Sequence, residues 1–186
     1  MRQVFWILAA AAFAVAQDKQ AQPPNPPSNP NVELTVYLLS GAIQATGADD
    51  VPQDLASTVR QLHGVFNYKS YKLAESFVLR GRSSGPSEYA HAQTGGILPG
   101  SGLHYNFYYQ RVRVSPEKPR MVHIDQLQIN LSMPPYWKDG KQRSDAVASI
   151  NTDLDLAEGQ KTVVGKSSIN NAGDALILVI VPKVIE

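Results

Sequence analysis

The run from Ala175 to Val181, ALILVIV, holds seven apolar residues in succession. Side chains of a strand alternate between its two faces, so this strand has no polar face to turn to water. It must lie centrally in a sheet that is covered on both sides. A chain that ends this way needs a layer above that sheet and another below it.

One covering layer is a helix. Val51, Leu55, Val59 and Leu62 recur at i, i+4, i+8 and i+11 and form one apolar stripe. They predict a helix over about 50–63, capped by Asp49 or Asp50, with Pro52 in its first turn and Gly64 as its stop. The other layer is a second sheet. Val32 to Leu39 places Val32, Leu34, Val36 and Leu38 on one face, with Tyr37 and Leu39 on the other. Tyr68 to Arg80 puts Tyr71, Leu73, Phe77 and Leu79 on one face. Leu103 to Val114 presents Leu103, Tyr105, Phe107 and Tyr109, then switches phase to Val112 and Val114, which predicts a bulge near Gln110. Met121 to Met133 switches in the same way, from Val122 and Ile124 to Leu127, Ile129, Leu131 and Met133. Ala148 to Leu156 alternates through Ile150 and Leu154, and Thr162 to Gly165 is a short strand. Residues 41–47, 81–102 and 133–145 read as loops, with a weak hairpin around Tyr89 to Gln93. The expected fold class is α+β, predominantly antiparallel β: a sandwich-like arrangement with one helix packed on a face.

Three segments divide the chain. Residues 1–16, MRQVFWILAAAAFAVA, carry Arg2, an apolar run and the Ala14-Val15-Ala16 pattern of a signal peptide cut before Gln17. The run is short of the roughly 20 residues that span a bilayer. Residues 17–31 are a proline-rich tether of extended polyproline character. Residues 32–186 form a single β-rich globular domain, large enough to be held by its core. The expected location is therefore periplasmic or extracellular, with no stable membrane span after cleavage. The chain has no cysteine, which excludes a disulfide-stapled scaffold and a lipid-anchored cysteine after the cut. Its formal charge is +1, and with Arg2 removed 16 basic residues balance 16 acidic ones. No field steers such a domain to nucleic acid, and no nucleic-acid partner is expected.

The motifs that carry chemistry elsewhere are incomplete here. Gly165-Lys166-Ser167 ends like a phosphate-binding loop, but Gln160 stands where the first glycine is required. Asp153, Asp155 and Glu158 lack the spacing of a calcium loop, and alternation puts both aspartates on the solvent face of a strand. His63, His91, His104 and His123 show no metal-ligand spacing. The aromatic and basic mixture of Leu103 to Val114 reads as core aromatics with edge arginines. No catalytic residue, metal or cofactor is expected, and the chain is read as non-catalytic. The one feature that points outward is Tyr136-Trp137-Lys138, which follows two prolines in a stretch that also carries Lys141 and Arg143. Tryptophan and tyrosine beside cations suit a protein or sugar contact. The competing reading folds Trp137 back as a lid on the core.

The C-terminal segment adds a resemblance. Thr152 to Gly165 reads TDLDLAEGQKTVVG, and Ala175 to Val184 reads ALILVIVPKV. Together residues 150–186 resemble the C-terminal strand pair of bacterial secretins, the outer-membrane rings of type II and type III secretion and of type IV pili. Lys161 is an extra residue in the turn, and Lys166 stands at the second glycine. The segment between the strands is reduced to about ten residues, so the pair builds no pore by itself. What the resemblance implies is a ring-associated or envelope-assembly module. The leading expectation is an exported binding or assembly module of a bacterial envelope, tied to a secretion or pilus system. It would contact an envelope protein through Tyr136, Trp137, Lys138, Lys141 and Arg143, or by strand addition at a sheet edge. A carbohydrate-binding β-sandwich that binds a glycan through the same aromatics is the first alternative. A hydrolase of unknown substrate is the second.

Overall fold

A computed structural model describes residues 29–44, 47–84, 91–169 and 173–185. The signal-peptide segment and all but the last three residues of the tether lie outside the described residues. Strand β1 spans Asn31–Ala42, so pairing starts one residue inside the expected tether, and the Ser83 N–H donates to the Pro30 carbonyl at 2.8 Å. A 3₁₀ turn at Gln53–Leu55 leads into helix α1, Ala56–Val65. Ten strands follow: β2 Ser70–Arg82, β3 Ala92–Ile97, β4 His104–Tyr109, β5 Arg111–Val114, β6 Met121–Ser132, β7 Tyr136–Lys138, β8 Lys141–Arg143, β9 Ala146–Ala157, β10 Thr162–Ser168 and β11 Ala175–Ile185.

The first sheet has the order β10-β11-β1-β2, antiparallel throughout. In the second, β6 carries β4 and β5 along one edge and β9 along the other, with β3 outside β4. β7 and β8 form a separate hairpin. The apolar run of β11 sits inside the first sheet, and its two faces serve two cores. Leu176, Leu178 and Ile180 pack toward the second sheet, with Leu34, Val36, Leu38, Phe107, Ile124 and Ile129. Ala175, Ile177 and Val179 pack toward α1, with Leu55, Val59, Leu62 and Tyr71. The order of layers is helix, sheet, sheet. The architecture is thus α+β and predominantly antiparallel β, with the helix on the outer face of a two-sheet stack. Pro182 is tolerated within this central strand because β10 has already ended at its level. Its carbonyl faces away from β1 and accepts the Gly159 N–H at 2.7 Å, so the missing proline N–H breaks no ladder bond.

Several local expectations are corrected. Neither Asp49 nor Asp50 caps the helix, which has no side-chain cap, and Gly64 lies inside it rather than past its end. Asp49 accepts the Tyr71 N–H at 2.8 Å and faces His63 Nε2 at 2.9 Å, which pins the loop before the helix to β2. Asp50 extends the same contact, because its N–H donates to Tyr71 O and its carbonyl accepts from Leu73 N. Tyr71, Leu73, Phe77 and Leu79 do not share a face. The register slips between Leu38/Glu75 and Leu39/Leu73, leaving Ala74 as an extra residue. Tyr71 and Leu73 therefore face α1, while Phe77 and Leu79 face the second sheet. The expected phase switches near Gln110 and after Ile124 are present. Gln110 separates β4 from β5, and Gln126 bulges with φ 51°. Met133, expected in the core phase, is exposed: the pairing of β6 with β9 shifts after Leu131 and ends at Ser132, one residue before it. The expected loops at 41–47, 81–102 and 133–145 are partly strand: β1 runs on to Ala42, β2 to Arg82, β3 occupies Ala92–Ile97, and β7 and β8 lie in the third stretch.

Candidate functional site

Pro134 and Pro135 end β6, since neither can donate to a continuing ladder. The chain closes on itself just beyond them. The Met133 N–H donates to Asp145 O at 2.8 Å, and Ser144 Oγ donates to Met133 O at 2.7 Å. Between these anchors β7 and β8 pair through an Asp139-Gly140 turn with φ values of 52° and 70°, both left-handed. That is the two-residue turn whose twist matches antiparallel strands, and Asp-Gly is among its preferred sequences. The dipeptide is a legible hairpin signal that the loop reading of 133–145 passed over.

Cross-strand partners share a face, so the register decides what the hairpin presents. Tyr136 lies opposite Arg143, Trp137 opposite Gln142, and Lys138 opposite Lys141. The five expected contact residues are therefore brought together on one small element but divided between its faces. Tyr136, Lys138, Lys141 and Arg143 share one face. Trp137 occupies the other, beside Gln142. Trp137 is 76% exposed, so it is not the lid of the core. Tyr136 is held in place by its hydroxyl, which donates to Asp145 Oδ2 at 2.8 Å. That hydrogen bond, with slight desolvation and the carboxylate charge, pushes the phenol above its ordinary range. Arg143 reaches Asp139 at 4.0 Å, an exposed pair of little energetic weight. Lys138 and Lys141 form no ion pair among the described residues, and like charges directly opposite each other are unfavourable.

The hairpin stands at one pole of the domain. β1 ends there where β2 and β11 begin, with Gly41 opposite Ala175 and Ala42 opposite Ser70. In the second sheet β3 and β6 end there, and β4 and β9 begin. Ile43, Ile97, Met133, Tyr136 and Trp137, most of the large exposed apolar side chains, follow or precede these strand ends. The opposite pole holds Asn31, Arg82 and Ile185 in register, so the chain enters and leaves the described domain far from the hairpin.

The other motif residues are occupied structurally. Gly165-Lys166-Ser167 lies within β10, paired with β11. Lys166 Nζ sits over the Phe66 and Tyr68 rings at 5.2 and 5.5 Å and donates to the Tyr68 hydroxyl at 3.2 Å. Asp153 Oδ1 accepts the Gln126 N–H at 2.7 Å, Asp155 is paired with His123, and Glu158 Oε1 accepts the Val184 N–H at 3.0 Å. Among the described residues no group of three or more His, Cys, Asp or Glu side chains could hold a metal ion. Tyr105 and Phe107 pack against Phe77 at ring distances of 5.5 and 5.4 Å, inside the core rather than on a base-stacking surface. Arg113 and Arg111 approach Asp125 at 2.9 and 3.9 Å. Residues 150–185, where the secretin-like resemblance falls, supply most of β9, all of β10 and the central β11. No helix among the described residues is long and apolar enough to cross a membrane. The chain matches no family model, and no curated protein or solved structure is significantly similar to it.

Proposed function

We propose that this chain is an exported, non-catalytic binding or assembly module of a bacterial envelope, which engages a protein partner through the β7–β8 hairpin. The observation that carries the reading is Trp137, 76% exposed on a paired two-stranded hairpin. A large aromatic held in water by a short, fully paired element is the kind of anchor that dominates protein interfaces. Lys138 and Lys141, without an ion pair among the described residues, favour acidic groups on the partner, which would relieve their mutual repulsion. The position of the hairpin supports the same reading. A domain tethered at the pole of Asn31 presents Trp137 away from its attachment. The N-terminal segment and the secretin-like residues 150–186 motivate the assignment to a periplasmic or extracellular secretion or pilus assembly.

Photo-crosslinking from position 137 in intact host cells tests the proposal. The expected result is an adduct with one defined envelope protein, lost in the Lys138→Glu/Lys141→Glu variant. A chain that forms no specific adduct, and whose Trp137→Ala variant supports wild-type assembly, overturns it. One observation favours a glycan as partner instead: Gln142 lies directly opposite Trp137. An indole face beside an amide can stack on a sugar ring and hydrogen-bond its hydroxyls. Glycan-array binding that disappears in both Trp137→Ala and Gln142→Ala would select this second reading.

A further inference from the structure

The inward face of the first sheet changes character at the hairpin pole. On β1, Val32, Leu34, Val36 and Leu38 fill the space between the sheets, and the same face then continues with Ser40 and Ala42. On β2, Phe77 gives way to Glu75, opposite Leu38, and then across the bulge to Ala74 and Lys72. On β1 and β2 large apolar side chains stop one layer before the strands do, while Leu176 of β11 remains opposite Ser40. The space they leave is a groove of about 450 Å³, floored by Ala74, Leu98, Leu103 and Leu176. Leu98 and Leu176 are fully part of the core, so the floor is continuous with it. Its size and apolar lining are those of small-molecule sites.

The mouth of the groove is asymmetric in charge. Asp174 is engaged, because its Oδ1 accepts the Ile43 N–H at 3.1 Å. Lys72 is 68% exposed, and its nearest partner, Asp50, is itself 79% exposed and 3.9 Å away. The rim hydroxyls are turned inward on the protein: Ser101 donates to Leu98 O at 3.2 Å, and Ser40 to Lys72 O at 3.5 Å. A floor without free polar groups suits a hydrocarbon chain rather than a sugar, and the loosely held ammonium suits an anionic head.

We propose that this groove binds an unesterified aliphatic carboxylate, with its chain on Leu98, Leu103 and Leu176 and its carboxylate at Lys72. The site is independent of the hairpin. The test titrates sodium decanoate, below its micelle threshold, into the full chain carrying ¹³C-labelled leucine methyls. Saturable shifts at Leu98, Leu103 and Leu176 are expected, with decanol binding about tenfold more weakly. Lys72→Glu should weaken decanoate by about tenfold and leave decanol unchanged. Ala74→Phe, or Ala42→Leu if the first variant does not fold, should abolish saturation by filling the groove. Trp137→Ala should bind decanoate normally, which separates this site from the hairpin proposal. Unsaturable or dispersed shifts overturn the assignment. So does equal affinity for decanoate and decanol, or undiminished binding in a folded groove-filling variant. Binding to phosphatidylglycerol vesicles without binding to free decanoate also overturns it, in favour of a lipid surface.

Discussion

Gly41 shows how a single residue links the two sides of the first sheet. Read along the sequence, it opens a loop. In the structure it is the last buried position of β1, and the Tyr68 ring packs against it. A Cβ there would stand 2.9 Å from Tyr68 Cγ and 3.3 Å from Ile177 Cδ1. Both neighbours belong to the core under α1, so neither can withdraw without opening it. Gly41→Ala is expected to destabilise the domain by about 1–3 kcal/mol in urea unfolding, the usual range for overpacking. Asp49 is a second such position. Burial alone pushes its carboxyl up, but the His63 hydrogen bond, the Tyr71 N–H and the His63 charge together hold it below the ordinary value of 3.8. A carboxyl with a depressed folded-state pKa adds stability above its unfolded pKa, and that contribution is lost as pH falls through the folded value. Asp49→Asn should therefore unfold at lower urea than the wild type at pH 7. The gap should close progressively below about pH 4. A gap that stays constant from pH 7 to pH 3 would show that the carboxylate charge is not what pins this loop.

At the scale of elements, what the sequence revealed and what it hid have the same cause. Alternation is legible only where apolar and polar residues differ, so the shifts in β4–β5 and β6 could be read from the change of parity at Val112 and at Leu127. The bulge in β2 could not. Tyr71, Leu73, Phe77 and Leu79 are all large and apolar, and the slip at Ala74 moves half of them to another core without altering the pattern. The apolar β11 was legible because it needs two covers whatever its register. The hairpin residues were legible as outward chemistry, but their division between two faces depends on pairing, which composition does not report. The groove left its own faint signal, small residues at positions 40, 42 and 74 where the inward phase calls for large ones. The β6 bulge gives a test at this scale. Gln126 has φ 51° and donates its N–H to Asp153 Oδ1 at 2.7 Å. In an ordinary strand valine would be the better residue. Here Gln126→Val should destabilise by about 2 kcal/mol, whereas Gln126→Gly should be within about 1 kcal/mol of wild type, because only glycine enters the left-handed region freely. Parallel urea curves for the two variants distinguish a bulge that enforces the phase change from one that merely tolerates it.

Across the whole molecule, stability and contact chemistry are segregated. The two cores share β11 and end before the hairpin, every residue of β7 and β8 is exposed, and hydrogen bonds at its base join the hairpin to the body. There Met133 and Asp145 are already tied by a backbone hydrogen bond and by Ser144 Oγ. Residues outside both cores contribute little to folding, so their removal should leave the domain intact provided the base can close. Excising 136–143 and joining the ends through a Gly-Asn-Gly linker is therefore expected to shift the urea midpoint by less than the Gly41→Ala substitution does. The same excision should abolish the partner adduct that Trp137 is proposed to form, while leaving decanoate affinity at the groove unchanged. If the shortened chain loses cooperative unfolding, the hairpin is part of the fold, and the exposure of Trp137 must then be explained by packing requirements elsewhere on that pole. If it folds and still captures the partner, the contact lies with the apolar rim of Ile43, Ile97 and Met133 rather than with the hairpin.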